Sequence, residues 1–415
     1  MTATNDTAPA APASPASPAS TEGALGSHML LLLSFTGAVG VGTIYFPQAI
    51  SPLIAAALHE PPGSAALVVT ATQVGYTAGM FLLVPLADRI PYRPLLVTLL
   101  VVTGLGLLGA GCAPGLAPLV AASALVGLAT VAAQVIGPLA AGMVAADRRG
   151  AVTGTLLSGC IGGMLLARTF SGTLGERFGW RAPYLVAAVV VLLLAAVLAR
   201  VLPVTVPPSR RSYPALLAGS LRLLRTEPDL RRSCLCQAGV FAGFSAVWTC
   251  LALLLTGPAY GLGAQAVGTL ALVGAVTMFC TPYAGRLVDR RGPDAVGLVC
   301  VLGALVSAAV LAFATGGGAR GMTALVAGTL LLDVAMQAGM VAHKARVFAL
   351  RPDALGRLNT AYMTCVYLGG SAGSWAGVRI YGRAGWPGVC VLVAGLALVA
   401  LVGQSRAAAS GTRRG

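Results

Sequence analysis

The chain has 415 residues, of which 57% are hydrophobic and 9% charged, with a formal net charge of +15. A soluble domain carries roughly 25% charged residues, so a water-soluble fold of this length is excluded: it has too few charges to cover its surface. The positive excess is scattered over short turns and forms no single basic face, which sets nucleic-acid binding aside.

Residues 1–26 are Ala, Pro, Ser and Thr in near-repeats, unable to bury a core, and are expected to form a disordered tail. They contain no basic start, because the first basic residue is Arg89, so no signal peptide is read there. Apolar runs of about 20 residues, the length that crosses a bilayer, then predict helices near 28–50, 65–86, 95–112, 117–144, 151–172 and 180–201. A polar stretch, 202–232, carries Arg210, Arg211, Arg222, Arg225, Arg231 and Arg232. Within it Leu216, Leu217, Leu221 and Leu224 predict a short amphipathic helix on the membrane surface. A second set of helices follows near 233–256, 263–283, 295–315, 321–343, 358–381 and 386–403. The runs are continuously apolar rather than alternating, which excludes an outer-membrane barrel. The expected fold class is therefore an all-α polytopic membrane protein with twelve transmembrane helices. Its units are an N-terminal bundle (27–201), a cytoplasmic linker (202–232), a C-terminal bundle (233–404) and a cytoplasmic tail (405–415).

Of the 27 Lys and Arg residues, 21 fall in the turns after even-numbered helices or in the C-terminal tail. Basic loops stay in the cytoplasm, so both termini are expected there, in the inner membrane of a cell. The nine cysteines lie in or beside apolar runs, far from His28, His59 and His343. They read as small buried apolar residues, and no metal site or cofactor is expected.

The chain repeats itself. VPLADRIPYRP (Val84 to Pro94) and GRLVDRRGPD (Gly285 to Asp294) each follow an apolar run, with Asp88 and Asp289 separated by 201 residues. Gln134 and Gln337 stand 203 apart, and the Gly-Trp pairs that open helices 6 and 12 have their tryptophans 206 apart. A doubled bundle of this kind is the architecture of secondary transporters.

At these residues the chain resembles the major facilitator superfamily, in its twelve-helix drug:proton-antiporter-like branch, from about residue 28 to 403. GRLVDRRGPD is a strong copy of the family's loop motif, and VPLADRIPYRP is a degraded copy with Val84 and Pro91 in place of glycines. Helix 4 reads Val131-Ala132-Ala133-Gln134-Val135, without the arginine and glycine frequent there, and helix 5 lacks the family's proline. The resemblance implies two pseudo-symmetric six-helix bundles around a cavity lined by helices 1, 4, 7 and 10. Helices 2, 5, 8 and 11 would form the moving interface.

Asp333 is the only carboxylate placed inside a predicted span, about 12 residues or roughly 18 Å deep. A carboxylate there costs about 2.5–3.5 kcal/mol to insert and is the proton-coupling candidate; the other reading is an interhelical structural aspartate. Gln337 lies one turn on, along the same face. Arg168 is the only basic residue within a predicted span. It reads either as a side chain snorkelling to the outer interface or as a counter-charge or substrate anchor. Tyr45, Gln48, Gln134 and Trp248 supply the few polar and aromatic groups that an otherwise apolar cavity needs, or serve as packing. The hinge residues Asp88, Arg89, Arg93, Asp289, Arg286 and Arg290 are gating candidates. Asp88 is expected to face the start of helix 11 at Arg357 and Asn359, and Asp289 the start of helix 5, where a carboxylate meets a positive helix end.

No catalytic constellation and no ATP-binding loop appears in the sequence, so an enzyme or a self-powered pump is not expected. The expected function is proton-coupled efflux of a small organic molecule by a monomer in the lipid bilayer. An uncoupled or inward-directed carrier is the alternative.

Overall fold

The computed structural model describes residues 26–145, 148–203, 212–351 and 354–411. The tail over 1–25, Arg210, Arg211 and residues 412–415 lie outside the described residues. Every regular element among them is helical. Ten helical runs are long and apolar enough to cross a bilayer. Two of these, Ala264–Gly316 and Leu355–Gln404, run for 53 and 50 residues. At 1.5 Å per residue each would be more than twice as long as the roughly 30 Å hydrocarbon core is thick. Each breaks at one glycine with positive φ, Gly292 at 79° and Gly385 at 62°, followed at once by Pro293 or one residue later by Pro387. Split there, the ten runs give the twelve expected spans.

Spans 1 to 7 are Ser27–Leu58, Pro62–Asp88, Tyr92–Gly111, Leu116–Gly142, Gly150–Phe178, Ala182–Val201 and Pro228–Thr256. Spans 8 and 9 are 264–291 and 293–316, span 10 is Gly318–Leu350, and spans 11 and 12 are 355–384 and 386–404. An even number of crossings puts both ends of the described chain on one side, called the terminal face below; the other is the far face.

Water-driven burial gives little help between helices in lipid, so these spans approach through small residues. A Cβ added at Gly163 of span 5 would stand 2.1 Å from the Ala38 carbonyl oxygen of span 1. One added at Gly373 of span 11 would stand 2.1 Å from the Ala242 carbonyl oxygen of span 7. Gly159 against Ser34 and Gly369 against Ala238 repeat the contact one turn earlier in each half. The same seam is thus built twice, between spans 1 and 5 and between spans 7 and 11, as a duplicated bundle requires.

Span 2 packs on span 4 in the same manner: a Cβ at Gly127 would lie 2.0 Å from the Thr72 carbonyl oxygen. Gly127→Ala is expected to force these helices apart, at an overpacking cost of about 1–3 kcal/mol. Thermal unfolding of the purified protein in detergent measures this, and an unchanged midpoint removes the close approach.

A linker helix, Tyr213–Thr226, buries Leu216, Ser220 and Leu223 and exposes Leu221, Arg222 and Arg225. Its buried stripe docks on the protein at the terminal face, where the Tyr213 hydroxyl donates to the Leu82 carbonyl at 2.6 Å. Near the same face Asp294, at the start of span 9, accepts from Arg232 of span 7 at 3.0 Å and from Arg346 of span 10. Gln404 of span 12 donates to the Asp294 carbonyl at 3.1 Å. Four spans are clamped there. At the repeat-equivalent position Arg93 donates to the Ala199 carbonyl at the end of span 6.

Candidate functional site

Three spans are interrupted near mid-membrane, where freed backbone groups and re-aimed side chains gather. Span 1 breaks between Thr43 and Phe46 because Pro47 has no N–H to give to the carbonyl four residues back. Span 4 breaks at Thr130 and Val131. Span 8 tightens into a 3-10 turn over Ala275–Phe279, just before Pro282. The breaks of spans 1 and 4 touch through the Thr43 and Thr130 hydroxyls, 3.4 Å apart. Interrupted helices are tolerated at this depth only where protein or a cavity meets the loosened backbone.

In the other half the equivalent contact carries charge. Asp333, near the middle of span 10, is buried and accepts a hydrogen bond from the Trp248 indole N–H of span 7 at 3.0 Å. It is the only buried carboxylate among the described residues. Its second oxygen faces the break of span 8, 3.1 Å from where a Cβ on Gly274 would sit. One turn further along span 10, Gln337 donates to the Thr277 hydroxyl at 2.8 Å and accepts from the Thr281 hydroxyl at 3.2 Å.

Arg168 comes to the same place from span 5. It is fully buried, so it does not snorkel to the interface. The Trp248 ring centroid lies 4.1 Å from its guanidinium carbon, that of Tyr45 4.7 Å and that of Phe244 5.9 Å. Its Nε–H donates to Gln48 Oε1 at 2.8 Å. The structure therefore brings Tyr45, Gln48, Arg168, Trp248 and Asp333 into one cluster across the two halves. Arg168 and Asp333 form no direct ion pair; the Trp248 indole stands between them.

Gln134 makes no hydrogen bond to the members of that cluster and donates to the Tyr76 hydroxyl at 3.0 Å. An aromatic row then leads across the interface: Tyr76 to Tyr367 at 4.5 Å, Tyr367 to Phe241 at 5.1 Å, Phe241 to Phe244 at 5.6 Å and Phe244 to Trp248 at 6.3 Å. Tyr76, Phe241, Phe244 and Tyr367 were missed by sequence reasoning. Each is one aromatic residue in an apolar run, and no local signal separates it from packing.

The halves meet unevenly. Toward the far face spans 5 and 8 are joined: the Thr169 hydroxyl donates to the Gly268 carbonyl at 2.7 Å, and Glu176 accepts from the Gln265 backbone at 2.7 Å. Toward the terminal face the same spans stand open, and nothing lies within 4 Å of a Cβ placed on Gly150, Gly154 or Gly285. Spans 2 and 11 are pinned by Thr70 to Ser374 at 3.1 Å and Thr77 to Ser371 at 3.2 Å.

The hinge residues follow that asymmetry. Asp88 is half-buried, with Arg357 at the start of span 11 within electrostatic reach. Asn359 Oδ1 is buried there without a hydrogen-bond partner. Asp289 is exposed, and among the described residues no hydrogen bond joins it to the start of span 5. Arg89, Arg286 and Arg290 are exposed, with Arg286 lying 5.6 Å from the Tyr283 ring. A separate apolar groove of about 270 Å³ between spans 7, 11 and 12 contains none of the candidate residues.

Residues 30–373 match the family model of the Major Facilitator Superfamily. The chain is 34% identical over 378 residues to the uncharacterized transporter YgaY of Escherichia coli O157:H7, covering 91% of this chain and 95% of that protein. It is 35% identical over 378 residues to the probable transporter SCO4007 of Streptomyces coelicolor, covering 91% and 86%. Among solved structures, a point mutant of the nucleoside transporter NupG superposes with a TM-score of 0.75 at 12% identity, covering 91% of this chain and 98% of that one. A bacterial homolog of the human lysosomal transporter Spinster, inward-facing and occupied, superposes with a TM-score of 0.66 at 17% identity, covering 91% and 94%.

Proposed function

This chain belongs to the major facilitator superfamily, and on that premise we propose that it is a proton-coupled exporter of a small organic molecule, with Asp333 as the proton-carrying residue. One observation carries the reading: the only buried carboxylate among the described residues lies at the break of span 8 and at the meeting of the halves, bonded through Trp248. A carboxylate held away from water binds a proton more readily than one in solution. Its environment changes as the halves rock, so loading and release follow the conformational cycle. Arg168, Gln48, Tyr45 and Trp248 line the substrate site, with Gln134 and Gln337 flanking it. Asp88 and Asp289 bias the closing of the terminal face, together with Arg89, Arg93, Arg286, Arg290, Arg357 and Asn359.

The terminal face is assigned to the cytoplasm of a cell (inner) membrane because the basic turns fall on it. Both termini are then inside, and reporter fusions that place the C-terminus outside overturn the assignment. The protein acts as a monomer, since one chain supplies every member of the cluster. A drug-like, metabolite-like or sugar-like substrate fits the family frame.

The test uses purified protein in liposomes with an imposed pH gradient and a labelled compound panel. Uphill movement that collapses when the gradient is dissipated supports the reading. Movement that runs only downhill, with no accompanying proton flux, supports an uncoupled or inward-directed carrier instead. The observation favouring that second reading is the buried Arg168, a fixed counter-charge that contacts the same Trp248 indole as Asp333.

A further inference from the structure

Arg168 is fully buried, yet its hydrogen bonding is unfinished. Gln48 takes Nε–H at 2.8 Å, the Met164 carbonyl accepts from Nη1 at 3.5 Å, and Nη2 has no partner. Nη2 shares with Nε the edge of the planar guanidinium that a carboxylate engages through two parallel bonds. Beside it Gln48 Nε2 is also buried and unpartnered. Tyr45 and Trp248 close aromatic surface around the cation. What the site lacks is an acceptor, and burying donors without one is unfavourable.

A second requirement comes from charge. Asp333 and Arg168 belong to opposite halves and are held apart by the Trp248 indole. For export in exchange for protons, substrate and proton must compete for Asp333. A molecule bearing only a carboxylate fails this, because an anion on Arg168 offsets the cation that stabilises ionised Asp333. It would bind together with the proton. A cationic group placed at Asp333 competes with the proton directly.

We propose that the transported molecule is a small zwitterion, an amino acid or a close relative. Its carboxylate takes the Nε/Nη2 edge of Arg168 and the amide N–H of Gln48, displacing Gln48 Oε1, and its ammonium group takes Asp333. This rests on the reading of Asp333 as the site of proton exchange. The apolar surroundings of Tyr45, Phe244 and Trp248 suit an apolar side chain between the two ends.

The experiment measures thermal stabilisation of the purified transporter, and counterflow in liposomes, with the standard amino acids in four forms. These are the free zwitterion, the carboxyl amide, the N-acetyl derivative and the doubly capped molecule. At least one free amino acid is expected to stabilise the protein, with either singly capped form weaker by about 10-fold or more, since each cap leaves a buried charge unpaired. Arg168→Gln is expected to erase the preference for the free form over its amide while keeping that over the N-acetyl form. Arg168→Lys keeps the cation but loses the two-donor edge, so a weakened preference in a protein of unchanged melting temperature separates recognition from folding.

Equal binding of capped and free forms overturns the proposal, as does the absence of binding by every free amino acid. If a cationic or neutral compound is nevertheless exported under a pH gradient, the zwitterion assignment falls and proton-coupled export stands. If a zwitterion binds as described but no pH gradient drives it, the coupling falls and the recognition stands.

Discussion

Asp333→Asn is expected to abolish uphill export while leaving exchange of substrate across the membrane measurable. Asparagine keeps the size of the side chain and an acceptor for the Trp248 indole N–H, which the aspartate receives at 3.0 Å. What it cannot do is bind and release a proton. Without that step the pH gradient has no handle on the conformational equilibrium, because a ligand shifts two states only through its different affinity for them. Substrate that still binds can drive both states in turn, so counterflow continues, at a raised substrate concentration because the variant also loses the partner of the substrate's ammonium group. The measurement compares uphill transport under a pH gradient with counterflow in the same liposomes. Unimpaired uphill transport takes Asp333 out of the coupling step. Loss of both activities at every substrate concentration, with a lowered melting temperature, assigns Asp333 to structure; with an unchanged one, it leaves Asp333 in substrate binding alone.

The fold was legible because its signals are one-dimensional. Continuous apolar runs, the side on which arginines fall and the 201-residue spacing of Asp88 and Asp289 all survive without three-dimensional context. Helix ends and breaks were harder. The Pro47 interruption of span 1 can be read in the sequence, but the 3-10 turn of span 8 depends on how neighbours pack. The glycine seams lay in plain view as Gly159/Gly163 and Gly369/Gly373. Their meaning needed the opposing carbonyls, 2.1 Å from an added Cβ at Gly163 and at Gly373.

The site divided along the same line. Charged residues stand out in an apolar chain, so Asp333 and Arg168 could be named, but not what joins them. Trp248 is one of four tryptophans, and nothing in its neighbours in sequence says that its indole bridges an arginine of one half to an aspartate of the other. Asp294 lies in the second copy of the hinge motif, where attention goes to Asp289. Its clamp on Arg232, Arg346 and Gln404 draws on residues up to 110 positions away, a pairing that sequence spacing does not encode.

Cross-linking Thr70→Cys to Ser374→Cys is expected to stop transport completely, and reduction to restore it. The two hydroxyls are 3.1 Å apart, one on span 2 and one on span 11, and both lie toward the far face. Sulfur at both positions falls within reach of a disulfide, provided the helix backbones sit at the roughly 4.4–6.8 Å Cα separation that the bond requires. Toward this face spans 5 and 8 are also tied, through Thr169 and Gly268 at 2.7 Å, whereas their opposite halves have separated. The structure is thus the state closed on the far face, and a transporter working by alternating access must break the Thr70–Ser374 contact to reach the other state. A covalent bond there holds one side shut whatever the substrate or the pH. Nine native cysteines are present, all free, so each single variant treated with the same oxidant provides the control. Transport measured before oxidation, after it and after dithiothreitol decides the matter. Full activity with the cross-link verified by mass spectrometry shows that these helices do not part during the cycle, and moves the opening entirely to spans 5 and 8.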